Sequence, residues 1–66
     1  MNRKNMSMTE WMEVQNTLTK VAQYSVCPEG VSFSMAGERH TIYTDGRYIY
    51  KTVDANGGGA WYKYDI

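Results

Sequence analysis

The stretch Thr41-Ile42-Tyr43-Thr44-Asp45-Gly46-Arg47-Tyr48-Ile49-Tyr50 decides the fold, because it reads as a self-contained β-hairpin. Asp45-Gly46 is the dipeptide suited to a two-residue type I′ turn, in which both central residues take positive φ, and β-branched and aromatic residues flank it on both sides. Such a turn sets Tyr43 opposite Tyr48, Ile42 opposite Ile49 and Thr41 opposite Tyr50, and so sorts every side chain onto one face or the other.

Working back from the hairpin, Gly37-Glu38 suits a second tight turn. Before it, Val31, Phe33 and Met35 alternate with Ser32 and Ser34 as a half-buried strand would. Working forward, Asn56-Gly57-Gly58-Gly59 reads as a flexible reversal and Ala60 to Asp65 as the last strand. One face then gathers Val31, Phe33, Met35, Ile42, Ile49 and Val53, joined by Tyr62, Tyr64 and Ile66. The opposite face gathers Ser32, Ser34, Thr41, Tyr43, Tyr48, Tyr50, Thr52, Trp61, Lys63 and Asp65.

Upstream the period changes to that of a helix. Ser7 and Glu10 form a capping box, Met6 and Trp11 occupy the positions of a hydrophobic staple, and Trp11, Val14, Leu18, Val21, Ala22 and Ser25 recur at three- and four-residue steps. Glu13, Asn16, Thr17, Lys20 and Gln23 take the other side. This predicts one amphipathic helix over residues 8 to 25, stopped by Pro28, with Gly30 reversing the chain. The expected domain is α+β: an N-terminal helix on one face of a four-stranded antiparallel meander, spanning residues 7 to 66 behind a flexible tail of residues 1 to 6. The helix belongs on the Ile42/Ile49/Val53 face, which leaves the tyrosine-rich face uncovered.

Composition narrows the function classes. At 66 residues folding buries only about 60% of the unfolded chain's surface, so a lone core is thin. Cys27 is the only cysteine and His40 the only histidine, which excludes a disulfide framework and a structural zinc site and predicts no metal and no cofactor. Self-association as a homodimer is the remaining route to stability. Seven basic and seven acidic residues cancel, so no strong field draws nucleic acid or an anionic membrane. No apolar run makes a signal peptide or a membrane span, so a cytoplasmic protein is expected.

Catalytic groups are as scarce. A thiolate nucleophile at Cys27 stands just past the expected helix C-terminus, where the dipole disfavours an anion, and His40 belongs to another element. Gly57-Gly58-Gly59 lacks the helix and the Gly-Lys-Ser/Thr of a phosphate loop. The expectation is a protein that is not an enzyme.

Six tyrosines, two tryptophans and a phenylalanine are the unusual part of the composition. On the face expected to be open, Tyr43, Tyr48, Tyr50 and Trp61, with Thr41, Thr52, Lys63 and Arg39, match the make-up of protein-binding hot spots. The expectation is a protein-binding module that occupies a surface on a larger partner. Small phage- or mobile-element-encoded inhibitors and bacterial regulators share this profile, a likeness of class alone. The alternative is single-stranded nucleic acid stacked on the same rings, which Arg39, Arg47, Lys51 and Lys63 would assist and Glu38, Asp45, Asp54 and Asp65 offset.

Overall fold

In the computed structural model, which describes residues 3 to 65, five strands form one antiparallel sheet. They are β1 (Arg3–Met6), β2 (Thr19–Val26), β3 (Glu38–Thr44), β4 (Tyr48–Ala55) and β5 (Gly58–Asp65), in the order β1-β5-β4-β3-β2. The α+β class and the antiparallel meander agree with the sequence reading. The strand count does not, since four strands were expected. Two of the five arise where no strand was expected.

The first is β1. Arg3–Met6, expected within a tail, pairs with β5 and places Lys4 beside Lys63 and Met6 beside Trp61. The second is β2, which corrects the long helix. Only α1 (Met8–Val14) is α-helical; a 3-10 turn over Gln15–Thr17 follows, and Thr19–Val26 then runs as a strand against β3. The start of α1 is as the sequence specifies, with Ser7 Oγ accepting from the Glu10 amide at 3.2 Å and Glu10 Oε1 accepting from the Ser7 amide at 3.2 Å. Its end is set by poor helix formers: Thr17 turns its hydroxyl back onto the Val14 carbonyl at 2.8 Å, and the β-branched Thr19, Val21 and Val26 gain more from a pleated ladder. Gln23 Nε2 donates to Thr41 Oγ1 at 3.0 Å across that ladder.

Because β2 occupies the place beside β3, Val31 to Met35 has no strand to pair with. The segment forms one helical turn instead, α2 (Phe33–Ala36), with Val31, Phe33 and Met35 exposed. Pro28 and Gly30 reverse the chain before it, Gly30 at φ +82°. Gly37 is buried beneath the Phe33 ring, so tightly that a side chain there would collide with it.

The hairpin that organises the sheet is present with a different turn. Thr41 lies opposite Thr52, Tyr43 opposite Tyr50 and Thr44 opposite Ile49, two residues away from the expected register. Asp45 does not take positive φ; Gly46 alone does, at +91°. Asp45 Oδ1 accepts from the Arg47 amide at 2.8 Å and the Tyr48 amide at 2.9 Å, and Thr44 Oγ1 accepts from the Gly46 amide at 3.0 Å. Side chains thus satisfy the backbone of a longer loop. A shift of two preserves the pleat, so the face assignments of β3 and β4 stand. The tight two-residue turn falls instead at Asn56-Gly57, where Ala55 pairs with Gly58 and Gly57 has φ +97°. That even-length turn keeps Tyr62 and Tyr64 on the face of Ile49 and Val53, as expected.

Candidate functional site

The two sheet faces are reached from the register. Thr41 with Thr52 and Trp61, and Tyr43 with Tyr50 and Lys63, form one face; Ile42 with Lys51 and Tyr62, and Thr44 with Ile49 and Tyr64, form the other. The first is the tyrosine-rich face. Trp11 of α1 lies against Tyr43 there, with ring centroids 5.1 Å apart and planes tilted by 55°. The helix therefore covers the face that the sequence reading left open, and the reading is corrected on this point.

The cause is connectivity. β1 and β2 stand at opposite edges of the sheet, so the segment joining them must cross one face, and α1 is that segment. Trp11 meets the Tyr43 ring there, and Trp11, Val14 and Leu18 are half-buried as the periodicity predicts. Beneath them Tyr50 is 3% exposed, Thr41 3% and Thr52 8%. Tyr50 is the one buried apolar side chain of the described residues, so the core is small.

The eight residues proposed from sequence as partner-binding are thus distributed unevenly. Tyr50, Thr41 and Thr52 are core, without surface to offer, and Tyr43 is held under Trp11. Tyr48, Trp61 and Lys63 are half-buried beside the helix, with Lys63 Nζ 3.8 Å from the centroid of the Tyr48 ring. Arg39 alone is exposed, at the far end, where it lines a hollow of about 250 Å³ with Phe33, Ser34, Gly37, Asp54 and Asn56. Of the rings on this face, Tyr43 thus lies against Trp11, Tyr48 against Lys63, and Tyr50 is buried.

Two titratable groups mark the turn end of this face. The Arg47 amide, then the Tyr48 amide, hold the Asp45 carboxyl below the usual carboxylate range. Burial, then the neighbouring Asp45 charge, pushes the Tyr50 phenol above the usual tyrosine range. The two meet directly, with Tyr50 Oη donating to Asp45 Oδ2 at 3.3 Å. This pair ties the loop to the core.

The opposite face is the more apolar of the two, and the sequence reading missed it as a candidate because it assigned the helix there. Ile42, Ile49, Val53, Ala60, Tyr62 and Tyr64 line it, all half-buried by strand neighbours alone. A shallow hollow of about 400 Å³ is lined by Glu38, Val53, Ala55, Ala60, Tyr62 and the turn Asn56 to Gly59, with no helical residue contributing. Lys51 stands on the central strand in the middle of this face, and Arg3 lies over the Tyr62 ring at 4.8 Å. Among the described residues neither has a carboxylate partner, and the one ion pair joins His40 Nε2 to Glu38 Oε1, at 3.1 Å. His40 also stacks on Tyr24 of β2, with centroids 4.9 Å apart and planes within 13°. Its Nδ1 is buried and unbonded.

The nucleophile and base expected to be idle are engaged separately, His40 as above and the Cys27 thiol with the Val31 carbonyl at 3.2 Å. Among the described residues no cluster of His, Cys, Asp or Glu is placed to hold a metal ion, and no helix is long and apolar enough to cross a membrane. Compared with family models, curated proteins and solved structures, the chain matches none.

Proposed function

We propose that this chain is a non-enzymatic protein-binding module that self-associates and acts by occupying a surface on a larger partner, as an inhibitor or regulator. One observation carries the reading: the more apolar face of the sheet is the one that no helix covers. A sheet of five strands spaced about 4.8 Å apart, each about seven residues long, offers roughly 550 Å² on one face. Burial against a matching surface then removes roughly 1,100 Å², just above the roughly 1,000 Å² that a biological interface should clear and at the low end of the size range.

The chemistry of the face describes the partner. Ile42, Ile49, Val53 and the Tyr62 and Tyr64 rings call for apolar side chains. Lys51 and Arg3, cations without a carboxylate partner among the described residues, call for Asp or Glu opposite them, because a buried unpaired cation is costly. A flat sheet with no deep cleft suits a protein surface better than a small molecule.

The test is capture from a native lysate on immobilised protein, comparing wild type with Val53→Lys and Tyr48→Ala. A specific partner should be lost at least tenfold with Val53→Lys, whose circular dichroism stays native because the side chain is half-exposed, and kept with Tyr48→Ala. The opposite pattern, capture kept by Val53→Lys and lost by Tyr48→Ala, would move the interface back to the helix-covered face and sink the reading.

A further inference from the structure

The two edges of the sheet are built differently. At one edge β1 is four residues long, and two of them, Arg3 and Lys4, are cationic. Short length and charge are the usual devices by which an edge strand is kept from pairing with another chain. At the other edge β2 is eight residues long and exposed throughout. After Lys20 it runs Val21-Ala22-Gln23-Tyr24-Ser25-Val26 without a charge or a proline, and Val21, Tyr24 and Val26 are 57%, 46% and 45% exposed. Its inner side is hydrogen-bonded to β3, and its outer side is a row of backbone donors and acceptors facing outward. Its single irregularity, the bulge between Lys20 and Ala22, lies at its start, and Pro28 lies beyond its end.

We propose that a second copy of this chain pairs along the outer edge of β2, the two β2 strands running antiparallel about a two-fold axis, so that two five-stranded sheets fuse into one of ten. The inference rests on the proposed function only in that the chain self-associates; it specifies the surface and the geometry.

Three features favour a copy of this chain over a foreign strand. Lys20 is the only charge in β2 and stands at one end, so antiparallel pairing about Gln23 sets the two lysines roughly 20 Å apart, beyond the Debye length at physiological salt. Each lysine then lies toward the end of the partner strand that leads to its Glu29, a complementary charge. Side-chain size agrees as well: the same register brings Tyr24 opposite Ala22 of the second copy, large against small, on the face already shared with His40.

Roughly six main-chain hydrogen bonds follow, within the range of specific interfaces, while the area from a single strand pair is at the low end. Affinity in the micromolar range is the consequence. Fusion through β2 also puts both apolar faces on one side, since antiparallel neighbours share their pleat, and doubles the surface offered to a partner.

The experiment is sedimentation of the full chain from 5 to 500 µM. Wild type should pass from 7.6 kDa to about twice that mass. Val26→Lys, a charge on the paired edge, should weaken association at least tenfold, while Asn5→Lys on β1 leaves it unchanged. Without any variant, amide exchange at 500 µM should slow in β2 and not in β1 relative to 5 µM. A monomer at 500 µM overturns the proposal, and so does a dimer indifferent to Val26→Lys whose β2 amides exchange equally fast at both concentrations. Partner capture is read from Val53→Lys, on a different surface, so failure of the edge and failure of the face are separable.

Discussion

The covered and uncovered faces of the sheet invert the usual relation between composition and burial. Thr41, Tyr43, Tyr50 and Thr52, with hydroxyls on every one, lie under α1, while Ile42, Ile49 and Val53 lie under nothing helical. The difference teaches that hydrophobicity alone does not choose the covered face of a small sheet. The route of the connection does. With β1 and β2 at opposite edges, α1 must cross somewhere, and a helix of seven residues has little apolar area with which to compete for the greasier side.

Breaking the core tests this comparison with the largest effect. Tyr50→Ala removes the one buried apolar side chain of the described residues and should cost about 3 to 5 kcal/mol, the range for aromatic truncation in a core. Domains of this size hold a total of about 3 to 10 kcal/mol, so much of the population should be unfolded at 25 °C in urea titrations. Ile49→Ala on the other face should cost about 1 kcal/mol or less in the monomer, because its side chain is only half-buried. If the two truncations cost the same, or Ile49→Ala costs more, the helix covers the other face and the assignment of the two faces fails.

How much of this was legible depends on which interactions are local. The α1 cap was, because Ser7 and Glu10 are three residues apart and satisfy each other. The division of β3, β4 and β5 into faces was, because parity survives a two-residue change in a turn. The turn types were exchanged between Asp45-Gly46 and Asn56-Gly57, since Asp45 bonds two amides ahead of it and thereby favours a longer loop. Residues 19 to 26 were misread because Leu18, Val21, Ala22 and Ser25 fit a helical period while Ala22, Tyr24 and Val26 fit a strand period; pairing with β3, from which the sequence is separated by α2, settles it. The candidate surface was missed for a non-local reason too. Nothing near Ile42 or Ile49 in sequence says which side α1 will cross.

A smaller effect sharpens the part played by α2, which meets the sheet at the end α1 does not reach. Gly37→Ala places a methyl where the Phe33 ring and the Phe33 carbonyl now sit, so α2 must shift at a cost of about 1 to 3 kcal/mol, the scale of overpacking. The backbone at Gly37 is ordinary, with φ −74°, so strain in the glycine itself contributes nothing. Phe33→Ala should restore the stability of Gly37→Ala in part, and a double-mutant cycle in urea measures it. Additive losses would show that the contact is not the cause.

The smallest expected effect lies at the turn, where the covered face is held by two groups with opposite pH responses. Asp45 has a folded pKa below its unfolded one, so its contribution is present above about pH 4 and is lost as pH falls through the folded value. Tyr50 has a folded pKa above its unfolded one, so its contribution is present below about pH 10 and is lost as pH rises toward the folded value. Asp45→Asn should therefore flatten the acid limb of the urea midpoint between pH 5 and 2.5. Tyr50→Phe should flatten the alkaline limb between pH 9 and 11 and make the acid limb only slightly shallower, because the Arg47 and Tyr48 amides, which lower the Asp45 carboxyl most, remain. An alkaline limb that stays as steep in Tyr50→Phe as in wild type would show that the phenol is not held by the covered face.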